Sequence, residues 1–382
     1  MGDTHVILVF DPEERLLENE FLKLANSLEG FVDKGIISVA GRGRLYFIKT
    51  SVLPVINLIR ESFPDFKIEW MEAVLPVITS SEKKEQFFDS FTKWKEVASA
   101  GKQTLYAAAV QYEINASAWT EEKIMDYMKM IERKMYRQTH VLYEEKIAME
   151  SSPFFAQNHL LWLEHVSANR VHSGRVISDA LKLALAVNAK VPGVEIVPGP
   201  MGTGGGYLYS ALFSVKESKG YTDADLLRGL FIAAGVGAIA YTGTFPTGEV
   251  IGCAGECGVC SAMTAAAITE MAGGDPEQVE SAASYALQAF IGIPCDPVPG
   301  GFEQPCLSRI ITAICMAITF SDMALAGCSA FLPFDEVLTV ADKVGRELHS
   351  DLRCTSKGGC CSTSTAIKQK KEFEMFMKSR LR

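Results

Sequence analysis

No cysteine occurs in the first 252 residues of this 382-residue chain; all ten follow, beginning at Cys253. A disulfide framework would not be so one-sided. Nothing at the N-terminus pairs a basic start with an apolar run, as a secretory leader does. Reduced thiols in a cytoplasm are therefore expected. An excess of basic residues is also missing: 37 Lys and Arg stand against 46 Asp and Glu, a net charge of −9, which argues against a non-specific nucleic-acid binder. The longest apolar stretches, Leu230–Ala240 and Ile310–Phe320, fall short of the roughly 20 residues of a membrane helix, so they read as buried helices and no membrane partner is expected. No internal repeat is visible. What remains is ordinary globular composition, 48% hydrophobic and 22% charged, in a chain long enough for two or three domains.

Residues 5–71 read as β-α-β-β-α-β, the order of a small ferredoxin-like unit. His5–Phe10 is a β-prone run. Asp11-Pro12-Glu13-Glu14 supplies helix-start chemistry, and the apolar spacing of Leu16, Leu17, Phe21, Leu24 and Leu28 predicts a helix to about Val32. A hairpin is expected around Gly41-Arg42-Gly43, a second helix over Val52–Phe63 and a last strand over Phe66–Met71. This domain is assigned to 1–78, with a structural or dimerising role. A connecting helix at 79–103 carries Phe87, Phe88, Phe91 and Trp94 as a packing stripe. From 104 to 365 the signals are helical, with strong starts at Thr120 and at Asp275-Pro276-Glu277-Gln278 and a stop at Gly273-Gly274. No strand is expected there, so the fold class is α+β: the small domain, an all-α domain, then a basic tail at 366–382.

Five cysteines crowd Gly252–Cys306. Cys253, Cys295 and Cys306 sit at helix–loop junctions, among Gly and Pro that let the backbone approach something bulky. Iron–sulfur clusters need thiolates on such loops. Cys315 and Cys328, inside apolar helices, read as buried thiols instead.

The segment Gly252-Cys253-Ala254-Gly255-Glu256, then Cys295-Asp296-Pro297-Val298 42 positions on, then Pro305-Cys306 after 11 more, resembles the α domain of iron–sulfur-dependent bacterial L-serine dehydratases. Thr355-Ser356-Lys357-Gly358-Gly359 is similar to that family's C-terminal segment, and the resemblance covers roughly residues 100–365. It implies a [4Fe-4S] cluster on Cys253, Cys295 and Cys306 with one iron open to substrate. It also implies a Lewis-acid elimination from L-serine or a related small hydroxy or thio amino acid. The family's β portion carries a Ser-Ser-Ser-His-Thr signature that is not found in this sequence, so a separate β-type subunit or a homo-oligomer is expected. The same absence keeps a cluster-bearing, partner-dependent subunit or sensor as an alternative.

Two further readings use other cysteines. Cys253-x3-Cys257-x2-Cys260 has the spacing of radical S-adenosylmethionine enzymes, although no strand–helix alternation follows it. Cys257, Cys260, Cys360 and Cys361 are a candidate zinc set. Gly202, Thr203, Gly204 and Gly205 precede a helix at Tyr207; they read either as a cradle for a substrate carboxylate or as a tightly packed helix start. Arg309 and Lys357 are candidates to meet a carboxylate. Glu256 and Lys357 are the acid–base candidates, with Glu256 favoured by its place three residues from Cys253. His159, His165 and His172 lie too far apart in sequence for a metal motif.

Overall fold

The computed structural model describes residues 5–11, 15–39, 43–51, 56–71, 86–145, 158–191, 193–298 and 304–380. The chain divides into two compact units, Met1–Lys83 and Lys84–Arg382.

The first unit runs β1 (His5–Asp11), α1 (Glu18–Ser27), β2 (Phe31–Val39), β3 (Gly43–Thr50), α2 (Ile56–Ser62) and β4 (Lys67–Met71). The strands form one antiparallel sheet in the order β2-β3-β1-β4, with Val9 opposite Tyr46 and Ile68. Strand alternation sends Ile7 and Val9 to one face, where they join Phe21, Ala25, Tyr46 and Ile48 in the core. The expected helix from Asp11 is displaced. Asp11 closes β1, and its carboxylate accepts the amides of Arg15 and Leu16 at 2.9 and 2.7 Å. The helix stops at Leu28, whose backbone is extended (φ −79°, ψ 133°), and Gly30, at φ of 69°, turns the chain so that Val32 enters β2. The hairpin turn at 40–42 and the start of the second predicted helix at 52–55 lie outside the described residues.

The second unit is helical. It contains α3 (Phe91–Ala100), α4 (Leu105–Ser117), α5 (Glu121–Glu144), α6 (Asn158–Ser167), α7 (Arg175–Asn188), α8 (Gly204–Lys219), α9 (Asp223–Gly243), α10 (Gly248–Ile251), α11 (Val259–Met271), α12 (Pro276–Gln288), α13 (Cys306–Leu325), α14 (Phe334–Glu347) and α15 (Ser364–Arg380). Among the described residues its one β-like pairing is a bridge between Cys295 and Arg353. Helix α11 is apolar nearly all round because it is central: α8, α9, α12 and α13 all pack on it. Helices α9 and α13 reach 21 and 20 residues, longer than the apolar runs read from sequence. They are long and apolar enough to cross a membrane by length and composition alone, and 56% of the α9 window is buried inside the protein. Both start signals are met: Thr120 accepts from the Lys123 N–H at 3.3 Å to open α5, and Asp275 with Gln278 forms a reciprocal cap on α12; Thr222 with Asp225 caps α9 in the same reciprocal way. The aromatic stripe before α4 is core. Phe88 stacks on Trp94 with ring centroids 4.8 Å apart, and Phe91 packs against Phe334.

Candidate active site

Helix α10 ends at Ile251, Gly252 caps it, and Cys253 follows with its N–H donating to the Ile293 carbonyl at 2.8 Å. A single π-helical turn, Ala254–Gly258, then runs into α11. Such a turn inserts a residue into the helical register and is a frequent feature of functional sites. Here it carries Glu256, whose carboxylate accepts from the Cys295 thiol at 3.6 Å. Burial, and then the charge of Glu249, push the Glu256 carboxyl above its ordinary range. Gly248 makes room for this contact, since a Cβ there would stand 2.5 Å from Cys295 Sγ.

Cys295 is held by backbone from far along the chain. Its N–H donates to Leu352 at 2.8 Å, and its carbonyl accepts from Cys354 at 2.6 Å. The Cys354 thiol is a second acceptor within reach of the one Cys295 S–H, as an alternative to Glu256; that contact and burial hold Cys295 up, while Cys354 is held low. Sequence reasoning left Cys354 without a role, because nothing local marks it. It stands at φ of 57° beside the Thr355–Gly359 segment, and the long-range pairing brings it to the site.

Cys306 is the first residue of α13, where the helix dipole favours a thiolate. One turn on, Arg309 Nη1 lies 2.6 Å from Asp296 Oδ1 and donates to the Pro294 carbonyl at 2.6 Å. The contact with Asp296 is an ion pair rather than an aligned hydrogen bond. Burial works to raise the Asp296 pKa, but the Cys360 N–H at 2.5 Å and the Arg309 charge outweigh it and hold the carboxyl below its ordinary range. Arg309 is thus engaged by Asp296, and its charge acts on the thiols of Cys253 and Cys306.

A cavity of about 570 Å³ brings these groups together. Glu256, Cys295, Cys306 and Cys354 line one part of it; Val187, Val191 and Ile196 are among the apolar residues of its wall. Gly202 and Thr203 also reach it. Gly204 and Gly205 do not: their amides donate to Met201 and Val197 at 2.8 and 2.9 Å, and that of Gly206 to Thr203 at 3.1 Å. At those two positions the helix start is tightly packed, and its N–H groups are occupied within the loop. Gln138, from α5, lines the cavity as well and had no signal in the sequence beyond its place on a helix.

The other candidates lie elsewhere. Lys357 is exposed and is not among the cavity-lining residues. Cys260 is buried against the Gly204 carbonyl at 3.6 Å, and burial raises its thiol to about 12. Cys257 is buried beside Cys253 and is pushed well up, first by that thiol and then by burial. Neither faces the cavity, so the radical arrangement finds no open triad. Cys360 is exposed while Cys260 is buried, so they do not form a zinc set. Of the histidines, His159 is buried on α6, where desolvation lowers its pKa; none of the three lines the cavity.

Among the described residues no three His, Cys, Asp or Glu side chains converge at single-ion distance. That spacing does not exclude a cluster, which spreads its thiolates over separate irons. The donor chemistry fits one: Cys295, Cys306 and Cys354 open onto one cavity, and Cys253, buried and not among the lining residues, is within electrostatic reach of Glu256 and Arg309.

A family model described as serine dehydratase alpha chain matches residues 72–361. The "Probable L-serine dehydratase, alpha chain" of Bacillus subtilis (strain 168) is 35% identical over 210 residues, 55% of this chain and 70% of that one. The "L-serine dehydratase, alpha chain" of Peptoniphilus asaccharolyticus is 29% identical over 279 residues, 70% of this chain and 92% of that one. The "L-serine dehydratase 1" of Escherichia coli (strain K12) is 34% identical over 187 residues, of which they form 41%.

Proposed function

The chain belongs to the serine dehydratase alpha chain family, and from that premise we propose that it is an L-serine dehydratase: a hydro-lyase that eliminates water from L-serine and releases a 2-oxo acid and ammonia. The observation that carries the reading is the cavity shared by Glu256, Cys295, Cys306 and Cys354 within the matched region. A [4Fe-4S] cluster on Cys253, Cys295 and Cys306 would supply a Lewis acid for the departing hydroxide.

The chain's own residues do the rest. Glu256 takes the α-proton; burial raises its carboxyl above the ordinary range, which makes its carboxylate a stronger base than an exposed one. Arg309 offsets the negative charge of the thiolates, and Asp296 fixes its position. The apolar wall of Val187, Val191 and Ile196 keeps bulk water from the reacting carbon. Loss of the α-proton and the β-hydroxide leaves an aminoacrylate, which tautomerises and hydrolyses to the 2-oxo acid and ammonia.

The relatives named alpha chain are covered over 70% and 92% of their length, and the E. coli chain over 41%. That two of these relatives are named alpha chain supports a working partnership with a β-type portion. We read the first unit as ferredoxin-like, supported by its β-α-β-β-α-β order and sheet order β2-β3-β1-β4.

The test is anaerobic purification, with and without a β-type partner, followed by iron and sulfide analysis and a 2-oxo acid assay on L-serine. Bound iron with turnover in either preparation supports the reading. A colourless protein without iron after anaerobic reconstitution overturns it.

A further inference from the structure

Cys295 and Cys354 are far apart in the sequence, yet the backbone clamps them together. The Cys295 N–H donates to the Leu352 carbonyl at 2.8 Å, the Cys354 N–H donates to the Cys295 carbonyl at 2.6 Å, and the bridge between Cys295 and Arg353 belongs to the same pairing. A pairing of this kind sets two backbones about 5 Å apart, inside the Cα separation of about 4.4–6.8 Å that a disulfide spans. The two thiols are within reach of each other. Cys354 is half-buried and lines the cavity, and its φ of 57° is one that a residue with a side chain keeps only where its surroundings hold it. The other neighbouring thiols are placed differently. Cys253 and Cys257 also meet, but both are buried and neither lines the cavity. Cys361 is buried, and its thiol donates to the Gly358 carbonyl at 2.8 Å.

We propose that Cys295 and Cys354 are a redox-active pair, which a hydroperoxide joins in a disulfide when the chain is free of iron and which a dithiol separates again. The half-buried Cys354 reacts first. Its sulfur attacks a peroxide oxygen, the O–O bond breaks, and Cys354 becomes a sulfenic acid while one water leaves. The Cys295 sulfur then attacks the sulfenic sulfur, the S–O bond breaks, and the hydroxide departs with the Cys295 proton as a second water. Together the two thiols give up two electrons and two protons, and hydrogen peroxide is reduced to two waters. A dithiol restores both thiols and leaves as its own disulfide. The linkage keeps Cys354 from the further, irreversible steps of sulfur oxidation. It also occupies Cys295, so it closes the cluster site while it lasts; that consequence alone rests on the dehydratase reading.

The test treats the full chain, freed of iron by a chelator, with a small excess of hydrogen peroxide. The protein is then denatured, alkylated and digested with trypsin and a glutamate-specific protease. Cys295 is the one cysteine of the 281–303 peptide and Cys354 that of the 354–357 peptide, while Cys360 and Cys361 share the 358–368 peptide. Mass spectrometry should find 281–303 joined to 354–357, with two of the ten thiols lost and both recovered by a dithiol. In urea, where the clamp is gone, Cys354 should pair instead with Cys360 and Cys361, its neighbours in sequence. In Cys354→Ser the 281–303 peptide should remain open to alkylation. A folded chain that leaves the two peptides unlinked, or that joins Cys354 mainly to another cysteine, overturns the inference; so does a linkage as abundant in urea as in the folded chain. These wild-type outcomes decide it even where Cys354→Ser does not fold. The dehydratase reading is judged separately, by iron uptake of the reduced chain. Linkage without iron uptake keeps the redox pair and overturns that reading, and iron uptake without linkage does the reverse.

Discussion

Replacing Arg309 with Met should destabilise the second unit by about 3 kcal/mol, at the lower end of the range for breaking a buried pair by removing one partner. The side chains of Asp296 and Arg309 are 2% and 15% exposed, so the charge left on Asp296 is shielded from water. Two effects set the size. The Cys360 N–H still donates to Asp296, which trims the loss, whereas the Pro294 carbonyl loses its donor, which adds to it. For a unit of this size, that loss lowers the Tm by about 5 °C. The assay is thermal unfolding followed by circular dichroism on wild type, Arg309→Met, Asp296→Asn and the double variant, at one iron content. Removing both charges leaves nothing uncompensated, so the double variant should be more stable than Arg309→Met, a coupling measurable by double-mutant cycle. A loss below about 1 kcal/mol for Arg309→Met, or a double variant that simply sums the singles, would refute the argument that Arg309 holds a buried carboxylate in place.

Cys295→Ala should abolish the brown chromophore after anaerobic reconstitution, whereas Cys257→Ala should keep it, because Cys257 faces the core; visible absorbance and iron analysis check both. Gly248→Ala should push Cys295 off its position and weaken cluster retention by roughly 10–100-fold, as lost support for a ligand does, seen as faster iron release to a chelator. Glu113 is pushed up by burial from its ordinary 4.5 to about 7. The folded form therefore binds a proton more tightly than the unfolded one, and stability falls as pH rises across that interval. Glu113→Gln should flatten the slope and gain roughly 1–2 kcal/mol at pH 8, discounted for the partial exposure of the site; urea unfolding at pH 5 and pH 8 checks it.

How much was legible in the sequence follows from how local each signal is. Helix α12 was readable because a capping pair and a helical run lie within a few residues of each other, and α9 because its apolar run is long; the Thr222–Asp225 cap of α9 went unread. Helix α1 was overextended because the spacing of Phe21, Leu24 and Leu28 carries on without a break, while the backbone is already extended at Leu28 and turns at Gly30. Cys295 and Cys306 were found by their Pro and Gly neighbours, and the structure opens both onto the cavity. Cys354 was not, since its place depends on a pairing with Cys295 that no spacing encodes. The glycines before α8 left two readings open; in the structure the amides of Gly204 and Gly205 are occupied within the loop, while Gly202 and Thr203 reach the cavity. Gln138 could not have been singled out, because a glutamine on a helix is ordinary until its surroundings are known.

The bond from Cys295 to Leu352, the bond from Cys354 to Cys295 and the bond from Cys360 to Asp296 tie the wall of the cavity to a segment more than fifty residues downstream. During synthesis Cys253, Cys295 and Cys306 all leave the ribosome before that segment does. For that interval the thiols stand without the backbone that anchors Cys295. Loading the site is thereby made a late event in the life of the nascent chain, and a truncation just after α14 would remove these tethers while sparing Cys253, Cys295 and Cys306 themselves.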